Sequence, residues 1–332
     1  MVVAERGAAL MRTMKRKAKT AGTRIMNDER FRRATARVRI LPSFLIIGTQ
    51  RGGTTTLFNQ LLRHPDICGP GGVGVSWARK ELHFFDERFW LGPTWYRRFF
   101  PTATNRQLAR IRGGDLLTGE ATPYYMFHPL VPERVASVIP EVRLFVLLRN
   151  PVDRAYSHYQ MTRRSNREDL SFEDALAAEE ERLAGQEELK AGFKESAVHD
   201  GHRKHHHHRH HAYFSRGLYA EQLERWLTHF PRSHLFILEA EDFFARSAEI
   251  YPEALRFLGV REFELDDLPV LASTASEGKP WSKRETRNRA SYEEMSPETR
   301  AALVERYAEP NARLTELLGR EFTWASRVAS RS

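Results

Sequence analysis

The sequence predicts an α/β fold with a mainly parallel central sheet flanked by helices. Three short apolar runs, Phe44–Ile47, Val142–Leu148 and His234–Leu238, carry the continuous hydrophobicity of strands buried on both faces. The first two run straight into turn residues and then into helix-forming segments. Strands alternating with helices along one chain describe a parallel sheet closed by helical crossovers.

The elements follow in order. Residues 1–40 are rich in Arg and Lys, with a helix-compatible patch at Met11–Lys19, and the folded body is expected from about Leu41 to residue 328 as one domain. After the first strand comes a Gly/Thr-rich turn and a helix over Leu57–Leu62, stopped by His64-Pro65. Residues 69–76 are a glycine-rich loop, and Trp90–Phe100 is an aromatic segment ending at Pro101. A helix over Arg134–Val138 leads to the second strand, and another resumes at Val152–Met161. Leu170 to about Lys190 reads as an acidic helix with Ser171 and Asp174 as candidate caps. A His/Lys/Arg tract, His199–His211, reads as a solvated loop insertion. Leu218–Phe230 is an amphipathic helix with Leu223, Trp226, Leu227 and Phe230 on one face. Pro252–Leu258 is helical, 272–289 is a polar basic loop, and one helix spans Pro297–Leu318 with Leu303, Tyr307, Leu314 and Leu317 inward. No internal repeat is present.

The 332 residues include 41% hydrophobic and 11% aromatic side chains, enough for a large core. The net charge of +9 is localised: residues 1–40 hold 12 Lys/Arg against 3 Asp/Glu, so the remainder of the chain is balanced. This argues against a specific nucleic-acid-binding body. It leaves peripheral contact of the arm with an anionic membrane, or a plainly solvated leader, as readings of residues 1–40. The lone Cys68 excludes an intrachain disulfide and suits a reducing compartment. No signal peptide and no apolar run approaching the ~20 residues of a membrane span is evident, so a cytoplasmic protein is expected.

The most informative segment is Phe44–Leu57. A buried strand, Gly48, four residues, Gly53 and a helix start reproduce the frame of a phosphate-binding loop, with backbone N–H groups and a helix dipole turned toward an anion. A Walker loop would place Lys and then Ser/Thr after the second glycine; here Thr54-Thr55 follow, and Arg51 sits inside the loop. The anion cradle of Gln50, Arg51, Gly52, Gly53, Thr54, Thr55 and Thr56 is kept, while the lysine of ATP and GTP chemistry is absent. The bland alternative is a glycine turn that only packs a helix on a strand.

The second strand end repeats this logic. Arg149 stands at the carboxyl end of a buried strand, where open α/β sheets bind ligands, Pro151 forces a turn, and Ser157 lies two helical turns on. Arginine with a hydroxyl suits a terminal phosphate. Taken singly, Arg149 would read as a strand-end ion pair and Ser157 as helix surface.

Together these blocks resemble the sulfotransferase family, whose donor is 3′-phosphoadenosine 5′-phosphosulfate (PAPS) and whose nucleotide product is PAP. Further stretches resemble its heparan sulfate N- and 3-O-sulfotransferase branch, bacterial members included: Lys80–Asp86, Gly92–Tyr96, Phe99–Pro101, Gly119–Tyr125 and Arg216–Tyr219. The resemblance implies a P-loop-like sulfotransferase fold over roughly 42–325. It also implies a 5′-phosphosulfate loop at Gly48–Leu57 and a 3′-phosphate site at Arg149 and Ser157. Glu81 falls on the general-base position. Arg51 falls where the family usually has a lysine that neutralises the leaving nucleotide, and His83 would orient the acceptor or Glu81. No metal is required, and the acceptor would be a hydroxyl or amine of a carbohydrate, glycolipid or small metabolite. Without that context, Glu81 would read as a surface charge paired with Lys80, and His83 as a hydrogen-bonded core histidine.

Two departures qualify the likeness. Ala121 follows Glu120 where heparan-type enzymes commonly carry lysine, and the donor-closing loop appears only as Ser276–Arg284, in which Lys279, Lys283 and Arg284 are candidate donor contacts. The aromatic residues Trp90, Trp95, Tyr96, Tyr124 and Tyr125 suit either sugar stacking or a packed core. Histidines 205–208, 210 and 211 could bind Zn²⁺ or Ni²⁺, but consecutive histidines on a loop would give only adventitious binding, opposed by Arg203, Lys204 and Arg209. Competing readings of the chain are a nucleotide kinase or phosphotransferase and a non-catalytic anionic-surface binder.

Overall fold

The computed structural model describes residues 29–71, 80–184, 202–265 and 294–326. Five strands form one sheet: β1 (Phe44–Gly48), β2 (Ile67–Cys68), β3 (Leu117–Ala121), β4 (Arg143–Leu148) and β5 (Leu235–Glu239). Their order is β2-β3-β1-β4-β5, and each neighbouring pair is parallel. All three strands read from apolar runs are present. Strand side chains alternate between faces. Leu45, Ile47, Leu144, Val146 and Leu148 therefore join one core cluster, while Phe44, Ile46, Phe145 and Leu147 join another on the opposite face. The chain first leaves β1 toward β3 and β2, then returns to its other side as β4. Ligands bind at the carboxyl ends of strands flanking such a switch, and those ends carry Gly48 and Leu148.

β2 and β3 escape apolar-run reading. β3 is Leu-Thr-Gly-Glu-Ala, yet all five residues are buried. Gly119 is required there: a Cβ would lie 2.5 Å from the Phe44 ring.

The helices depart from expectation where backbone chemistry intervenes. The single helix expected over Pro297–Leu318 is two, Pro297–Arg306 and Ala308–Leu318, meeting at Tyr307. Pro310 accounts for the break, because it has no N–H to donate and its ring crowds the carbonyl four residues back. The acidic segment likewise forms two short helices, Phe172–Ala177 and Glu179–Leu183, with the Ser171 hydroxyl capping Asp174 N at 3.1 Å. The amphipathic helix runs Tyr219–Leu227, with Leu223 and Trp226 buried. Residues 29–40, assigned to the arm by charge, include a helix at Glu29–Ala34 and pack on the body. Ala36 and Arg39 are buried, and Arg39 Nη1 donates to Phe100 O at 2.6 Å.

The histidine tract needs correction. His202–His210 is a helix rather than a loop, and His208 and His211 are buried. It is anchored by side chains: His208 stacks on Phe127 at 4.3 Å and hydrogen-bonds Tyr124 through Nδ1 at 2.5 Å. No helix among the described residues is long and apolar enough to cross a membrane.

Candidate active site

The phosphate-loop frame folds as its spacing requires. Thr49 N donates to Leu147 O at 2.9 Å, tying the loop to β4, and Gly52 N closes a turn on Thr49 O at 2.9 Å. A Cβ on Gly52 would stand 2.7 Å from Leu147 O, so the close approach of two backbones demands glycine. Gly53 adopts φ +95°, a left-handed conformation, immediately before the Thr54–Leu61 helix. The first N–H groups of such a helix lack intrahelical partners and favour an anion. Thr54 is buried, Thr56 half-buried and Thr55 exposed.

Arg149 and Ser157 converge on this loop from the β4 side. Arg149 Nη1 donates to Arg51 O at 3.0 Å, and Arg51 Nε donates to Ser157 Oγ at 2.9 Å. Three residues expected to meet phosphate groups are thus brought together. Arg51 lies on the Arg149–Ser157 side of the loop. The Pro151–Arg164 helix that presents Ser157 is capped by Asn150, whose Oδ1 accepts from Val152 N and Asp153 N. Gln50 accepts from the buried Arg216.

The second half of the site sits beside β3. Ala121 N donates to Lys80 O at 3.0 Å, and Leu82 N donates to Glu120 Oε2 at 2.9 Å, so the backbone on both sides of Glu81 is clipped to the end of β3. Glu81 stays 39% exposed, with Oε1 2.6 Å from Lys80 Nζ and Oε2 3.5 Å from His83 Nε2. Burial opposes its ionisation, but the hydrogen bond from His83 and the Lys80 charge prevail and bring Glu81 down to about 2. His83 caps the Phe84–Glu87 turn in a left-handed conformation, and its Nδ1 lies 2.7 Å from Oδ2 of the fully buried Asp86. Burial again works against charge there, and the Asp86 and Glu81 contacts outweigh it, raising His83 to about 9. The carboxylates facing its two ring nitrogens favour the protonated imidazole.

Glu120 underlies this segment. It is completely buried and accepts from Leu82 N, Thr122 Oγ1 at 2.8 Å, Tyr96 OH at 2.5 Å and Tyr125 OH at 3.0 Å. Burial pushes its carboxyl up, against the pull of these four donors. Tyr96, Tyr124 and Tyr125 are core residues, and Trp95 packs near Phe84. Of the five aromatic candidates, Trp90 alone is largely open, at 72% exposure.

The histidine helix closes the site from above. Arg209 pairs with Glu87 and brings Nη2 to 3.1 Å from His83 Nε2; its charge acts against protonation of His83. Arg216 donates to the His208 and Arg209 carbonyls and to Gln50, and lies 4.8 Å over the Tyr124 ring. A continuous set of contacts therefore joins the phosphate loop to Glu81 through Gln50, Arg216, Arg209 and His83.

The family model for the sulfotransferase domain matches residues 41–323. The chain belongs to the sulfotransferase family. It is 28% identical over 293 residues to heparan sulfate glucosamine 3-O-sulfotransferase 3B1 of Mus musculus, covering 86% of this chain and 65% of that protein. It is 29% identical over 290 residues to the mouse bifunctional heparan sulfate N-deacetylase/N-sulfotransferase 4, covering 84% of this chain and 30% of that protein. The chain thus spans less than two thirds of these relatives' length. A solved sulfotransferase from Alicyclobacillus acidocaldarius superposes with a TM-score of 0.57 at 26% identity, over 86% of this chain and 99% of that one.

In this sulfotransferase, sequence reasoning overlooked Asp86, Arg209 and the carboxylate role of Glu120. The spacing of Asp86, three residues after His83 at a helix start, is the one signal that could have found it. Lys279, Lys283 and Arg284 lie outside the described residues.

Proposed function

We propose that this chain transfers a sulfuryl group from PAPS to a hydroxyl or amine of a carbohydrate, glycolipid or small metabolite, with Glu81 as general base. The observation that carries the reading is the junction of an anion cradle with a carboxylate–imidazole pair at the carboxyl ends of adjacent strands. The residues suit the donor: the glycine turn leads into the start of the Thr54–Leu61 helix, and Arg51, Arg149 and Ser157 form one cationic, hydroxyl-bearing cluster beside it. PAPS, when bound, supplies the electrophilic sulfur and a phosphate leaving group.

Arg149 and Ser157 hold the 3′-phosphate, while Gln50, Gly52, Gly53, Thr54, Thr55 and Thr56 line the 5′ side. Glu81 takes the proton from the acceptor as the new bond to sulfur forms. His83 and Lys80 keep Glu81 ionised and able to accept a proton, and an acceptor that loosened the Lys80 contact would raise its proton affinity. His83, fixed by Asp86, keeps Glu81 oriented. Arg51 and the loop N–H groups stabilise the negative charge left on the departing phosphate.

The heparan sulfate relatives support a carbohydrate acceptor. Ala121 in place of a lysine, with Arg209 beside His83 instead, favours an anionic acceptor differently arranged from heparan sulfate. The test is calorimetric binding of PAP to wild type and Arg149→Ala. Loss of a charge-assisted phosphate contact costs about 1.5–3 kcal/mol, so affinity should fall roughly ten- to 150-fold. Folded wild-type protein that does not bind PAP would overturn the reading.

A further inference from the structure

The geometry points to a divalent transition-metal site formed by His206, His207 and His211. His207 and His211 are four residues apart at the carboxyl end of the His202–His210 helix, so both side chains occupy one face. Their Nδ1 atoms are 2.9 Å apart, and one ligand nitrogen from each of the three residues lies within 4.8 Å of the others. Two imidazole nitrogens on a tetrahedral Zn²⁺, each about 2.0–2.1 Å from the ion, stand about 3.3 Å apart. The pair needs to open by only about 0.4 Å to bracket such an ion.

The outer contacts match a ligand set. His211 is buried and donates Nε2–H to Arg167 O at 2.8 Å. That bond fixes the tautomer and leaves the Nδ1 lone pair directed at His207, as a backbone carbonyl commonly does behind a metal-bound histidine. Glu168 lies 4.0 Å from His211 Nε2 with its charge shared by a two-point pair with Arg182, and Arg209 is turned away toward Glu87. His206 is exposed, which leaves water access for a fourth position. Imidazole ligands suit Zn²⁺, Co²⁺, Ni²⁺ and Cu²⁺.

The site clamps the helix turn between His207 and His211. That turn carries Arg209 onto His83 and Glu87 and offers its carbonyls to Arg216. An ion would stiffen the acceptor side of the cleft without touching the reacting atoms. This consequence rests on the sulfotransferase reading; the metal site does not.

The experiment uses tag-free, metal-stripped full chain titrated with Zn²⁺ against a chromophoric chelator, and with Co²⁺ followed by its visible absorption. Wild type is expected to take one equivalent and to show the intense bands of a tetrahedral Co²⁺ site. His207→Gln and His206→Gln should each weaken Zn²⁺ by at least about tenfold, while His205→Gln, in the same tract but not one of the three proposed ligands, should not. His211→Asn, with folding checked by circular dichroism, gives a third reading. No stoichiometric ion in wild type, or equal weakening by His205→Gln and His207→Gln, would overturn the site and leave adventitious chelation by the tract. A Zn²⁺-dependent change in acceptor KM with PAP affinity unchanged would establish the coupling. Its absence alongside stoichiometric binding would remove the coupling and keep the site.

Discussion

Replacing Glu120 with alanine tests whether Glu81, the proposed general base, is held by a buried carboxylate. In the wild type four donors end on this side chain: one backbone N–H from Leu82 and three hydroxyls, from Thr122, Tyr96 and Tyr125. In Glu120→Ala the hydroxyls can rotate, but the Leu82 N–H cannot, and water has no access to a residue at 0% exposure. Each stranded buried donor costs about 1–3 kcal/mol. Stranding the Leu82 N–H and one tyrosine hydroxyl gives roughly 2–6 kcal/mol. Removing a carboxyl whose ionisation burial already opposes offsets part of this, so a net loss of about 3 kcal/mol is expected. For a domain of this size that lowers Tm by roughly 5 °C. The functional effect should separate the two halves of the site. The phosphate loop does not depend on Glu120, so PAP affinity should change less than about threefold, whereas a displaced Glu81 should cut turnover about 100-fold. Urea unfolding, PAP calorimetry and single-turnover sulfuryl transfer measure the three quantities. A Glu120→Ala protein within about 1 kcal/mol of wild type, or one that loses PAP binding while keeping turnover, would refute the reasoning.

Asp86→Asn should move the pH profile. Burial alone would lower His83, and Asp86 supplies the largest opposing contact, so in the variant the alkaline fall of kcat/KM shifts below the wild-type limb near 9. The sign for stability follows: the His83 contribution is full below its ordinary 6.5 and is lost as pH rises through about 9, a dependence that should shrink in Asp86→Asn urea midpoints. Lys80→Ala should raise the proton affinity of Glu81, moving the acid limb of kcat/KM upward from the wild-type value of about 2 while the His83 contact still opposes the rise; a pH–rate profile unchanged from wild type would contradict this. Gly52→Ala should force the loop off Leu147 O, an overpacking cost of roughly 1–3 kcal/mol read as weakened PAP affinity, with acceptor-side chemistry recoverable at saturating donor.

The sequence made legible what local backbone geometry determines. β1, β4 and β5 show as apolar runs because their central residues are buried, and the Gly48–Gly53 frame is visible from residue type and spacing, although the atoms that crowd glycine at 48, 52 and 53 come from Met126, Leu147 and Phe244, far away in sequence. β3 stayed hidden for the opposite reason. Thr118, Gly119 and Glu120 look like turn chemistry, and only the tertiary structure supplies the Phe44 ring that needs glycine and the four donors that satisfy a carboxylate. The same holds for the meeting of Arg51 with Ser157, which is 106 residues away in sequence.

The histidine tract shows how composition can mislead about role. Seven consecutive basic side chains, 205–211, suggest a solvated loop, because alone they would repel one another. Burial resolves the conflict by removing charge: His210 falls to about 3 and His211 is also lowered, chiefly through desolvation, so several of these rings are neutral in the folded chain. The tract also packs through its rings, as His208 does with Phe127 and Tyr124. Arg209 becomes the side chain that the tract delivers to His83 and Glu87. The helix is therefore better understood as a packed wall beside His83 and Glu87 than as a solvated insertion. Its histidines pack so that one arginine can be placed, in a site where Ala121 leaves no cation on the strand below.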